Sequence, residues 1–127
     1  MSTYNSQHNR AVWFDIPVAD LDRAAKFYAA VLGVKVSKEV YGEIEFCVID
    51  HHEGNGGCLI VKPEDITTTG VLLYLNTDGR IREATELVIQ LGGKVLQPVR
   101  SIGPHGFEAI VIDSEGNRVA LHSTVDA

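Results

Sequence analysis

Leu32-Gly33-Val34-Lys35-Val36 returns about sixty residues on as Leu91-Gly92-Gly93-Lys94-Val95. Two further echoes keep nearly the same spacing. Val48-Ile49-Asp50 matches Val111-Ile112-Asp113, and Glu53-Gly54-Asn55 matches Glu115-Gly116-Asn117. A near-constant offset means one supersecondary unit used twice. Two copies make a paired-module domain, because a solenoid needs about three or more.

Outward from the first copy, Leu21, Ala24, Ala25, Tyr28, Val31 and Leu32 fall at helical spacing. Asp20 is placed to cap that helix and Gly33 to end it as a C′ residue. Ahead of it, residues 11–17 alternate, which predicts a strand with Val12, Phe14 and Ile16 on one face and Trp13 and Asp15 on the other. Strands are expected over 34–40, 44–50 and 58–61, with Gly54 to Gly57 as a tight turn and Pro63 as a stop. The second copy repeats the order. Val71 to Asn76 reads as a strand with Val71, Leu73 and Leu75 on one face, and Thr77 or Asp78 as the next cap. Ile81, Ala84, Leu87, Val88 and Leu91 form the helical stripe, followed by strands over 94–99, 107–113 and 118–123. Each unit is therefore βαβββ. We expect a polar N-terminal segment, residues 1–10, and one domain over 11–127, its modules spanning about 11–62 and 70–123.

The composition fits one such domain. The chain has 127 residues, 45% of them hydrophobic and 22% charged, which excludes a disordered chain and a closed eight-unit α/β barrel. Its net charge of −6 and lack of a basic cluster argue against nucleic acid and anionic membranes as partners. No apolar run reaches the ~20 residues of a membrane helix, and Met1 to Arg10 carries no signal-peptide core. Cys47 and Cys58 form no Cys-x-x-Cys pair, so two reduced thiols in a cytoplasmic protein are expected.

Residues 18–28 (VADLDRAAKFY), followed by Val31-Leu32-Gly33-Val34, resemble the opening signature of the vicinal oxygen chelate superfamily. Asp113-Ser114-Glu115-Gly116-Asn117 resembles that superfamily's turn before the last strand. The resemblance runs from about Ala11 to Ser123 and covers nearly the whole chain. The superfamily includes glyoxalase I, extradiol dioxygenases and bleomycin-binding resistance proteins. The resemblance implies an α+β fold: paired βαβββ modules forming a cupped mixed sheet, helices outside, a ligand cavity on the concave face, and a homodimer. Enzymes of the superfamily hold a divalent metal with His, Gln or Glu at four positions. Matched residue by residue, these fall on Trp13, Cys58 (Ile60 if the register slips), Leu72 and Ala120. Trp, Leu and Ala offer no donor, and one thiolate does not hold a metal. We therefore expect no metal and no cofactor.

The remaining candidates follow from strand alternation. Trp13, Asp15, Cys58, Ile60, Leu72, Tyr74, Asn76, Arg118, Ala120 and His122 should face the cavity. Trp13 and Tyr74 would give flat walls to an apolar or aromatic ligand, or simply fill the cavity as core. His122 and Glu108 are the candidate acid–base residues, although the strands 44–50 and 107–113 are apolar on both faces and leave Glu45, Cys47 and Glu108 unoriented. His51-His52-Glu53 precedes a Gly-rich turn and reads as a solvated loop rather than a metal site. Gly54 to Gly57 lacks the helix and lysine of a phosphate loop. Two functions stay open: a metal-free module that binds a small molecule, or an enzyme with relocated ligands or metal-independent His/Glu catalysis.

Overall fold

The computed structural model describes residues 8–127; the first part of the expected N-terminal segment, residues 1–7, lies outside the described residues. The first module runs β1 (Asp15–Val18), α1 (Leu21–Leu32), β2 (Val36–Tyr41), β3 (Ile44–Ile49) and β4 (Cys58–Val61). The second runs β5 (Tyr74–Asn76), α2 (Ile81–Gln90), β6 (Lys94–Ser101), β7 (Phe107–Ile112) and β8 (Arg118–Ser123). Short 3₁₀ turns sit at Pro63–Asp65 and Gly103–His105. Each module makes a four-stranded mixed sheet, in the orders β1-β4-β3-β2 and β5-β8-β7-β6. In each sheet the outer parallel pair, β1 with β4 or β5 with β8, is the connection that a crossover helix permits.

Asp20 accepts the backbone N–H of Arg23, and Gly33 ends α1 in the left-handed region at φ 66°. Leu21, Ala24, Tyr28 and Val31 are buried, as the stripe predicts, and so is Phe27, whose ring stands edge-on to Tyr28 at 5.0 Å. The extra burial follows from α1 packing on both its own sheet and α2, which widens its apolar face. Leu32, Leu87 and Leu91 are only partly buried at the helix ends. One hydrophobic cluster joins the modules, from Ile16, Val18 and Leu59 to Leu75, Ile81 and Leu121.

The differences from expectation lie at element ends. The first strand begins at Asp15, and Val12 is 42% exposed rather than packed under a helix. Strand β5 has only three residues, and Val71 is 95% exposed. Alternation of Val71, Leu73 and Leu75 signals a strand face, but the register with β8 begins at Tyr74, next to the Leu73 carbonyl that accepts from the Ala120 N–H at 2.8 Å. The N-cap of α2 is Arg80, not Thr77 or Asp78. The Thr77 hydroxyl instead donates to the carbonyl of His122, and the Asp78 carboxylate accepts from Thr124. No helix among the described residues is long and apolar enough to cross a membrane.

Candidate functional site

The helices cover one face of each sheet, and register assigns the other face. Asp15 pairs with Cys58 and Pro17 with Ile60, opposite the buried Ile16, Val18 and Leu59. In the second sheet Tyr74 pairs with Ala120 and Asn76 with His122, opposite Leu75 and Leu121. Strand β7 adds Glu108 beside His122, so Glu108 points to the helix-free face. Cys47 lies opposite to it, in the helix-side core, and Glu45 shares that face at the exposed end of β3.

Trp13, Asp15 and Cys58 come together. The Cys58 thiol donates to Asp15 Oδ1 at 3.1 Å, and Trp13 stands edge-on to His51 at 5.7 Å. Burial first, then the Asp15 carboxylate, pushes the Cys58 thiol up to about 12. It stays a thiol near neutrality, whereas a metal needs the thiolate. The His51 ring is spent on the Gly54 carbonyl at 2.8 Å, and His52 turns out to solvent beside Glu53. Gly57 packs so closely on Phe14 that a Cβ there would overlap the ring and backbone, which explains one of the glycines in that turn.

A second cluster forms around Glu108, which is 4% exposed. Tyr74 Oη donates to its Oε1 at 2.9 Å, and Arg100 Nε donates to its Oε2 at 2.9 Å, with Nη2 at 2.7 Å. Burial raises the Glu108 pKa, but the Arg100 and Tyr74 hydrogen bonds outweigh it and leave it below the ordinary value. His122 Nε2 donates to the carbonyl of His105 at 2.6 Å. Arg100 was not legible as a site residue. It faces Glu108 only because the β6–β7 register shifts twice, between Val95 and Gln97 and again before Arg100.

Two hollows open on this architecture. One, of about 370 Å3, lies between the modules, where Pro17 and Ile60 meet Leu73, Arg118 and the connector residues Lys62, Asp65, Thr67 and Thr69. It takes Asp15, Ile60 and Arg118 from the sequence candidates. The other, about 580 Å3, runs from Phe14 and the loop 50–56 to Tyr74, Asn76 and Arg80. Trp13, Cys58, Leu72, Ala120 and His122 line neither. The connector residues of the first hollow follow no alternation or helical spacing, so no sequence pattern singles them out.

Fold and site together define a protein of two βαβββ modules sharing one core, with a hollow at their junction. Residues 10–47 match the family model described as bleomycin resistance protein-like N-terminal. The chain is 32% identical over 121 residues to a glyoxylase-like domain-containing protein of Didymella fabae, covering 90% of this chain and 93% of that one. It belongs to the glyoxalase/bleomycin-resistance/dioxygenase (vicinal oxygen chelate) family. Solved structures share the fold. A glyoxalase/bleomycin resistance protein/dioxygenase family enzyme from Burkholderia phytofirmans PsJN aligns at TM-score 0.68 and 15% identity, over 88% of this chain and 96% of its own. The fosfomycin resistance protein FosX of Listeria monocytogenes aligns at 0.67 and 16%, over 91% and 93%.

The family implies a divalent metal, and the residues here do not fit one. The matching positions carry Trp13, Cys58, Leu72 and Ala120, and the single sulfur among them is held protonated. No group of three or more His, Cys, Asp or Glu side chains converges among the described residues.

Proposed function

We propose that this chain is a metal-independent, small-molecule-binding member of its family, holding an apolar or aromatic ligand. The observation that carries the reading is the donor set: where metal-dependent relatives need imidazole or carboxylate, this chain has an indole, a protonated thiol, an isobutyl and a methyl group. A pocket without a charged centre selects by shape and apolar area. Asp15 and Arg118 would supply polar anchors beside Ile60 in the hollow between the modules, and Asn76 beside Tyr74 in the other. With so few anchors, affinity should be about micromolar or weaker once association costs are counted.

The rival reading, acid–base catalysis by Glu108 and His122, has less support. Both Glu108 oxygens are already hydrogen-bonded, and its lowered pKa makes it a weak base near neutrality. The reading includes a cytoplasmic homodimer, for which Tyr41 and Val71 supply exposed apolar surface.

Two measurements test it. After dialysis against equimolar Zn, Ni, Mn and Fe, elemental analysis should find no near-stoichiometric metal. Retention abolished by Cys58→Ala or His122→Ala would mean relocated ligands and overturn the proposal. Neutral aromatics such as indole and 2-naphthol should raise the melting temperature and change Trp13 fluorescence. No response to either removes the support for an apolar site.

A further inference from the structure

We propose that the hollow between the modules takes a small organic acid that also carries a hydroxyl or amino group, with its carboxylate held by Arg118 and Lys62. This rests on the small-molecule reading above and gives that ligand a chemical class.

Arg118 is fixed before any ligand arrives. Its backbone N–H donates to the Thr67 carbonyl at 3.1 Å, and Nη2 donates to the Gly70 carbonyl at 2.9 Å. Its Nε is buried and has no hydrogen-bond partner among the described residues. A buried donor left unpaired costs stability and is rare in folded proteins, so it points to a group that comes from outside the chain. Lys62 lines the same hollow, and the ion pairs among the described residues involve neither cation. Both cations share the wall with Asp15 and Asp65 but stand in no ion pair among the described residues, and a guanidinium already held in place suits a planar carboxylate.

The rest of the wall narrows the class. Asp15 and Asp65 also line the hollow. They would accept from a hydroxyl or ammonium and repel a second carboxylate, so a hydroxy or amino monoacid fits better than a diacid. Pro17, Ile60 and Leu73 leave apolar wall for a hydrocarbon side chain. A volume of about 370 Å3 stands near the lower end of ligand pockets, roughly 300–1,000 Å3, which fits one small molecule.

The test is isothermal titration calorimetry on the whole chain with mandelate, 3-phenyllactate, phenylalanine and leucine, each beside its primary amide. At least one acid should bind, with its amide weaker by about tenfold or more and the acid's affinity falling as salt rises. Arg118→Gln and Lys62→Gln should each weaken the acid and leave the amide unchanged. Lys62 is exposed, so its variant keeps the test valid if Arg118→Gln fails to fold. Equal binding of acid and amide overturns this inference and leaves the small-molecule reading standing. Acid binding that survives both substitutions overturns the assignment to this hollow. If no acid binds in the millimolar range the ligand class is wrong; if indole and 2-naphthol also fail, the reading beneath it falls too.

Discussion

Glu108 shows how much a single side chain depends on its surroundings. A carboxylate on a strand of Phe107, Ala109 and Ile110 would be costly to bury alone. Arg100 and Tyr74 satisfy both its oxygens and keep it ionised. Because its native pKa lies below the ordinary one, its stabilising contribution is present above the ordinary carboxylate range and is lost as pH falls through the lowered value. Glu108→Gln should destabilise the fold by about 1–3 kcal/mol at pH 7, read by urea denaturation. A variant as stable as the parent would show the cluster to be dispensable. Cys58 is the opposite case, a group held neutral. With its pKa near 12, the thiol should react slowly with iodoacetamide at pH 8 in the native protein and readily in denaturant. Mass spectrometry of the labelled peptide reads the difference, and equal rates would contradict the buried, Asp15-bonded thiol.

Among the elements, the turn before β8 connects the modules. Asp113 Oδ1 accepts the N–H groups of Glu115, Gly116 and Asn117, which folds the turn, and its Oδ2 takes the Tyr28 hydroxyl from α1. Glu115 then reaches the start of α1. Its carboxylate accepts from the backbone of Ala19 and Asp20 and from Arg23 Nε at 2.7 Å. Burial opposes the ionised form, yet these bonds bring its pKa from 4.5 down to about 2. The contribution is therefore complete above about pH 4.5 and is lost as pH falls toward 2. It amounts to about 2–3 kcal/mol. Glu115→Gln should lower the melting temperature at pH 7 and flatten its decline between pH 5 and 2. An unchanged acid profile would mean that another carboxylate dominates. The first module's loop, Asp50 to Gly57, has a similar sequence but not this role. Among the described residues the Asp50 carboxylate accepts from the His52 N–H at 3.3 Å, and the exposed Glu53 stands beside His52.

Across the whole molecule, the hydrophobic cluster runs without a break through both modules, and Arg80 at the start of α2 donates to the carbonyls of Ala30 and Val31 at the end of α1. Those carbonyls are among the orphan acceptors of a helix terminus. Unfolding should therefore be a single transition by both fluorescence and circular dichroism, with no stable half-molecule. Arg80→Met should cost about 1–3 kcal/mol while leaving the transition single. Two separate melts would show the modules to be independent.

The sequence by itself determined the paired βαβββ order, the first helix with both of its ends, and which side chains stand where metal-dependent relatives place their ligands. These are local matters: periodicity, a capping Asp20, a left-handed Gly33, and the identity of Trp13, Leu72 and Ala120 are each written in a few adjacent residues. Alternation also paired Asp15 with Cys58 and Asn76 with His122 on one face correctly. Tertiary structure decided where the strands stop and what the polar side chains do. Val71 continues an alternating pattern into solvent because it precedes the register with β8, which begins at Tyr74. Glu108 sits on a strand apolar on both faces, so only its contacts with Tyr74 and Arg100 could orient it. The hollow at Arg118 is built from β1, β8 and a connector more than forty residues from β1 and from β8. Such contacts depend on how the two modules pack, and packing is a property of surfaces that meet in space, which no short window of sequence contains.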